Sequence, residues 1–230
     1  MLGFRDSHPP ARNYQLSDIR RFLETHYRHF NARELVEAAK AYEEHVDAGG
    51  KMMVTLAGAM STAELGIILS RMIRAGKVHA ISCTGANLEE DVFNLLAAQE
   101  YEIVPSWRSL SEGDEQALYD RGMNRVTDTC IPETVMRNIE GRLVDCWERA
   151  ASAGDRKTPA EFLFEILDDP TLSKHYQGDP AHSWMLAAKE MDIPVFAPGW
   201  EDSTTGNIFT ANVMAGNVAN HTCVKSGTEQ

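Results

Sequence analysis

Three polar turns, each directly after a short apolar run, hold the residues of this chain best suited to binding a charged, phosphorylated ligand. The first is Gly58-Ala59-Met60-Ser61-Thr62, after Val54-Thr55-Leu56-Ala57. The second is Thr84-Gly85-Ala86, after the run from Val78 to Cys83, and the third spans Pro198 to Asn207, after Ile193 to Ala197. A glycine turn between strand and helix presents backbone N–H groups and the positive end of the helix dipole at the carboxyl edge of a sheet, where open α/β sheets bind phosphates. Glu89, Glu90 and Asp91 follow the second turn, and Asp202 sits in the third. A carboxylate there can accept two hydrogen bonds from a ribose diol or hold a cationic group. Other uses compete for the same residues. Carboxylates in the first turn of a helix stabilise its dipole. Ser61 with Glu64 and Asn87 with Glu90 have capping-box spacing, and Asp202, Ser203 and Thr204 could cap a helix that starts near Gly206. The full Gly-x-Gly-x-x-Gly spacing is absent, so the glycines by themselves name no cofactor.

Positioning these turns side by side requires strands and helices in alternation. Residues 1–16 read as a polar, proline-bearing arm, and 17–230 as a single α/β domain. A first helix is expected from Leu16 to Phe30 with Ser17 as its cap. A second, capped by Asn31 with Glu34, carries Leu35, Ala39, Tyr42 and Val46 on one face and ends at Gly49-Gly50. The doubled strand, glycine turn and helix of Met53 to Asp91 comes next, continuing as a helix to Ala98. Glu102-Ile103-Val104 is a strand candidate and Asn124 to Ile131 an extended piece. Pro132-Glu133 opens a helix running through Ala150. Thr158-Pro159-Ala160-Glu161 combines a capping threonine, proline at the first helical position and glutamate at the third. Asp179-Pro180 opens a helix bearing Trp184, and Asn212 to Gln230 reads as a closing helix. This alternation predicts a mostly parallel sheet with helices on both faces.

Composition narrows the partners. Of 230 residues, 43% are hydrophobic and 24% charged, as in ordinary folded proteins. The formal net charge of −12 argues against nucleic acid and gives a weak preference for a cationic substrate. Cys83, Cys130, Cys146 and Cys223 lack Cys-x-x-Cys spacing and read as buried, reduced thiols. Among the eight histidines only His26 and His29 have helical spacing, with no third ligand, so no metal site is expected. Met60, Met72, Met191 and Met214 read as core filler. No Gly-x-Ser-x-Gly elbow or Ser-His-Asp order appears. No apolar run approaches the length of a membrane span and the first residues lack a signal peptide's apolar core, so a cytoplasmic location is expected.

The segments Ala57 to Thr62, Thr84-Gly85-Ala86-Asn87-Leu88-Glu89-Glu90-Asp91 and Ile193 to Pro198 resemble the deoxyhypusine synthase family, most closely its prokaryotic deoxyhypusine synthase-like branch. The resemblance implies a Rossmann-like, NAD-binding fold, a homotetramer of tight dimers, and oxidation of spermidine with transfer of its aminobutyl group through an enzyme lysine. The acceptor would be a protein lysine, as in hypusine formation, or a small amine such as putrescine, giving homospermidine. Carried over, Gly58, Ala59, Met60, Ser61, Thr62, Thr84, Gly85, Ala86 and Asp202 fall on cofactor-binding positions. Glu90 falls on a polyamine-binding glutamate, and Asn207 stands where the family commonly has a polyamine-binding aspartate. An amide there keeps hydrogen bonding without the charge. The family's imine-forming lysine lies in a glycine-rich turn beyond the match, and Lys225 is not in that context. The fold is therefore expected to lack its C-terminal third and no catalytic residue is assigned. The alternative is a non-catalytic fragment or subunit that folds, oligomerises and binds nucleotide.

Overall fold

A computed structural model of the chain describes residues 18–230, so the expected arm and the Ser17 cap lie outside the described residues. The chain divides into two compact units, Met1–Lys51 and Met52–Gln230. In chain order the helices and strands are α1 (Asp18–His26), α2 (Phe30–Asp47), β1 (Met53–Leu56), α3 (Gly66–Arg74), β2 (Ala80–Cys83), α4 (Gly85–Ala97), β3 (Glu102–Ile103), α5 (Glu112–Asp120), β4 (Met123–Val126), β5 (Thr129–Pro132), α6 (Glu133–Ala153), α7 (Pro159–Leu167), α8 (Trp184–Glu190), β6 (Val195–Phe196) and α9 (Thr204–Met214).

In the first unit, the helix expected to reach Phe30 stops at His26. His29 is extended (φ −141°) and Phe30 left-handed (φ 53°), two consecutive residues that cannot continue a helix. His29 thereby becomes the N-cap of α2 without a side-chain bond, and Asn31 lies inside the helix it was expected to cap. The far end agrees with the sequence: Gly49 is left-handed at φ 88°, and its N–H donates to the Val46 carbonyl.

The second unit carries two sheets. β1, β2 and β6 form a parallel sheet in that order, with Met53 opposite Ala80 and Ile81 opposite Val195. β3, β5 and β4 form a separate antiparallel sheet. The single, mostly parallel sheet is therefore replaced by a smaller parallel one with an antiparallel companion. The reason is the connection at Thr127-Asp128, where Thr127 is left-handed (φ 55°). Two residues can close a hairpin, whereas a parallel return needs roughly a dozen.

The core forms where α4, α6, α7 and α8 bury Phe93, Trp147, Phe162 and Trp184. Trp147 stands edge-on to both Phe162 and Phe209, at 6.4 and 4.9 Å between ring centroids. As expected, all four cysteines are buried, Cys83, Cys146 and Cys223 in this core and Cys130 in a smaller cluster with Leu118 and Met123. Met72 is half-buried against this core, but Met60, Met191 and Met214 are exposed rather than filling it. No helix among the described residues is long and apolar enough to cross a membrane.

Local signals set several boundaries. The Thr158 hydroxyl accepts from the Glu161 N–H at 3.2 Å while the Glu161 carboxylate accepts from the Thr158 N–H at 2.6 Å, closing the expected capping box of α7. α6 ends at Gly154, left-handed at φ 74°. The closing helix expected from Asn212 to Gln230 does not form: α9 ends at Met214, near where that helix was expected to begin. Gly216 is left-handed (φ 82°) and the Asn220 side chain accepts from the Thr222 N–H, so local bonds displace helix there. From His221 to Cys223 the chain makes a 3-10 turn, and Val224 then forms a parallel bridge to Lys157. The Gln230 side chain donates to the Ala197 carbonyl and accepts from its N–H. Thr158→Ala removes one half of the α7 box and is expected to lower unfolding free energy by about 1 kcal/mol. Urea unfolding followed by circular dichroism checks this, and an unchanged midpoint would show that the box adds nothing to stability.

Candidate functional site

Parallel register places Leu56 beside Cys83 and Ser82 beside Phe196, so the three polar turns leave the same edge of the sheet. The first turn is fastened to the start of α4. The Asn87 amide donates to the Gly58 carbonyl at 2.7 Å and accepts from the Ser61 N–H at 3.0 Å. The Ser61 hydroxyl donates to the Asn87 carbonyl at 2.7 Å, and the Trp184 indole N–H donates to that hydroxyl at 3.0 Å. Neither expected capping box forms. Ser61 and Asn87 satisfy each other across 26 positions, so neither is left to cap its own helix. α3 begins only at Gly66, after Glu64 in the left-handed region (φ 56°), and α4 is preceded by Thr84, whose side chain makes no capping bond.

Glu89, Glu90 and Asp91 are all buried in α4. Consecutive helical side chains point about 100° apart, so each reaches a different segment. Glu89 accepts from the Thr204 and Thr205 N–H groups at 3.0 and 2.6 Å and from the Thr205 hydroxyl at 2.6 Å. Asp91 accepts from the Ser183 hydroxyl at 2.5 Å and from the N–H groups of Trp184 and Met185 at 3.3 and 3.1 Å. Glu90 accepts from the N–H of Thr62 at 3.2 Å and from its hydroxyl, both at Oε2, leaving Oε1 without a partner among the described residues. The expected role of these carboxylates, stabilising the dipole of their own helix, thus gives way for Glu89 and Asp91 to capping α9 and α8. Burial raises the Glu90 carboxyl above its usual range and lifts Asp91 to about 6, against the hydrogen bonds that favour the charged forms.

The third turn meets α4 at Gly85 and folds against the start of its own helix, α9, at Gly206. A Cβ on Gly85 would stand 2.7 Å from the Ser203 Cβ, and one on Gly206 would stand 2.6 Å from the Trp200 carbonyl oxygen. Both positions need glycine for close approach. Ser203 caps α9, its hydroxyl accepting from the Gly206 N–H at 3.1 Å. Asp202 is exposed, and its side chain makes no hydrogen bond or ion pair among the described residues; Asn207, also exposed, likewise makes none. The indole N–H of Trp200 is buried without a partner.

The residues expected from the sequence therefore separate into two groups. Gly58, Met60, Asp202 and Asn207 are exposed and Ala59, Thr84 and Ala86 half-buried, open to a ligand. Ser61, Thr62, Gly85 and Glu90 are buried, and their contacts hold the turns together. Asn87 makes most of the contacts to Ser61, and Glu89 with Thr205 ties α4 to the third turn; the spacing offers Glu89 as a ligand carboxylate but marks neither Asn87 nor Thr205 as a site residue. A hydroxyl two positions after the Ser203 cap is the one local hint. A cavity of about 200 Å³ lies elsewhere, between Gly66, Asn94, Gly178 and His182, and shares only Asp91 with the acidic run. No cluster of metal-binding side chains occurs among the described residues.

The family model described as "Deoxyhypusine synthase" matches residues 22–224. The chain belongs to the deoxyhypusine synthase family. It is 31% identical over 177 residues to the "Probable deoxyhypusine synthase 1" of Archaeoglobus fulgidus, covering 77% of this chain and 53% of that protein. It is 26% identical over 179 residues to the "Deoxyhypusine synthase-like protein" of Chlorobaculum parvum, covering 77% and 48%. The chain thus spans about half the length of the curated relatives it matches. A crystal structure from Entamoeba histolytica that carries the same synthase name superposes with a TM-score of 0.48 at 15% identity, over 76% of this chain and 49% of that one. That likeness is too slight to define the fold.

Asp91 gives this family member a measurable pH dependence. Its carboxyl binds a proton more tightly folded, at about 6, than at the ordinary 3.8. The stabilisation from that proton is full below pH 3.8 and lost as pH rises through 6. The stability of the native chain relative to Asp91→Asn is expected to fall by on the order of 3 kcal/mol across that window and stay level above it. Glu90 titrates in both proteins, so the difference isolates Asp91. Urea titrations between pH 4 and 8 measure it, and a difference that rises with pH would contradict the assignment.

Proposed function

We propose that the second unit is the NAD- and polyamine-binding part of an enzyme that moves an aminobutyl group from spermidine to an amine acceptor. The observation that carries this reading is Glu90. One oxygen of a buried carboxylate is fastened to Thr62, the other is left without a partner, and no cationic side chain pairs with it among the described residues. A carboxylate held in this way is ready to receive an ammonium group. Membership of the family supports spermidine as the source of that group.

The surrounding residues fit a dinucleotide. Thr84 leaves the N-terminus of α4 without a side-chain cap, so its first N–H groups suit a phosphate. Gly58 is left-handed, with open space where a Cβ would stand, and allows close backbone approach. Asp202 is an exposed acceptor suited to ribose hydroxyls. These features also support the Rossmann-like reading of the fold. NAD, when bound, supplies the hydride acceptor for the amine. The chain's own residues bind and orient: Asp202 and the α4 N–H groups hold the dinucleotide, Glu90 takes the ammonium, and Asn207 donates or accepts a hydrogen bond without adding charge. The acceptor amine is a protein lysine or a small amine such as putrescine. The assembly is a homotetramer of tight dimers, with no nucleic acid or membrane partner, and works in the cytoplasm.

Calorimetric titration with NAD+ and with spermidine tests the reading. Asp202→Ala is expected to weaken NAD+ binding, and Glu90→Gln spermidine binding, each by roughly tenfold or more. Asn207→Asp is expected to strengthen spermidine binding in a salt-dependent way. Wild-type levels of binding in the first two variants would overturn these roles. Because the match spans about half of each relative, NADH formation from spermidine is scored separately. Binding without turnover is the outcome expected of the second reading, a non-catalytic subunit.

A further inference from the structure

We infer that Glu89 is a positioning residue whose carboxylate occupies the N-terminus of α9 and so sets Asp202 and Asn207 in place relative to Glu90. Glu89 is 2% exposed, and its contacts come from the chain itself: two consecutive backbone N–H groups and a hydroxyl, all from Thr204 and Thr205. An anion at a helix N-terminus satisfies N–H groups that lack partners inside the helix and complements the dipole. Here the anion comes from another helix, and so the bond has a second effect. Glu89 and Glu90 share the rigid backbone of α4, so the distance from the Asp202–Asn207 segment to Glu90 and Thr62 is fixed by that helix and not by the loop. The close contact of Gly85 with Ser203 and Trp200 prevents the segment from moving closer, and Glu89 prevents it from moving away. The N-terminus of α9 is thereby filled, whereas that of α4 carries no side-chain cap.

The consequence for ligand binding rests on the site proposed above; the tie itself does not, so two measurements on the full chain separate them. Amide hydrogen exchange without ligand reads the tie. In Glu89→Gln the N–H groups of Thr204 and Thr205 are expected to exchange at least about tenfold faster, because a neutral amide accepts more weakly, while Thr62, Trp184 and Met185 keep native rates. Thr205→Ala, which leaves the carboxylate in place, is expected to speed the same two groups by less, and Thr205→Ser to restore them. Native protection of Thr204 and Thr205 in Glu89→Gln, or equal loosening at all five groups, overturns the inference. If Glu89→Gln does not fold, the alanine and serine variants decide by the same criteria. Titration with NAD+ reads the consequence. Weakened binding in Glu89→Gln, with no further loss when Asp202→Ala is added, supports positioning through Asp202. Native affinity in a variant with a loosened α9 overturns it. If the wild-type chain binds no NAD+, the proposed function fails and the exchange result alone decides the tie.

Discussion

Three adjacent carboxylates buried in one helix create the constraint on which this structure depends. Burial of a charge without a cation is costly unless hydrogen bonds replace the lost water. In α4 each of the three acids draws its donors from elsewhere in the chain: Thr62, the start of α9, and the start of α8. Electrostatic necessity thus becomes long-range connectivity. A helix with leucines at these positions would still pack, but the segments around it would lose the anchors that specify their placement.

Asn87 and Ser61 extend the same logic to neutral groups. The side-chain amide of Asn87 bridges the first and second turns by bonding to Gly58, Ser61 and Thr84, and it is fully buried. Trp184 adds its indole N–H to the Ser61 hydroxyl, joining this network to α8. The outer face of the edge is consequently left with exposed Asp202 and Asn207, uncommitted to the fold. Residues that hold the scaffold and residues left exposed alternate within a few positions of each other.

That alternation explains what the sequence could and could not tell. The turns, their order and the α7 capping box were legible because each depends on neighbours in the chain: a glycine after a strand, or a threonine three residues before a glutamate. Membership of the family was legible in the run from Thr84 to Asp91 and is borne out by the match over residues 22–224. The capping boxes assigned to Ser61 and Asn87 have the same local appearance as the real one at Thr158, yet their polar atoms are taken by partners 26 positions away. Spacing cannot reveal a competitor that distant. The split of the sheet has a readable cause in the short Thr127-Asp128 connection, but the pattern from Asn124 to Ile131 reads as one extended segment and not as two strands. The end of the last helix is set by Gly216 and Asn220, whose local preferences outweigh the helical pattern of the apolar residues around them.

The side chain of Gln230 imitates a peptide group. Its carbonyl oxygen and amide nitrogen meet the N–H and C=O of Ala197, the residue directly after β6, in the pattern of a strand neighbour. β6 is an outer strand of the parallel sheet, pairing only with β2 among the described residues. An outer strand with unsatisfied backbone groups is a template for pairing with another molecule. One glutamine side chain satisfies both backbone groups of Ala197 at the point where the strand leaves the sheet.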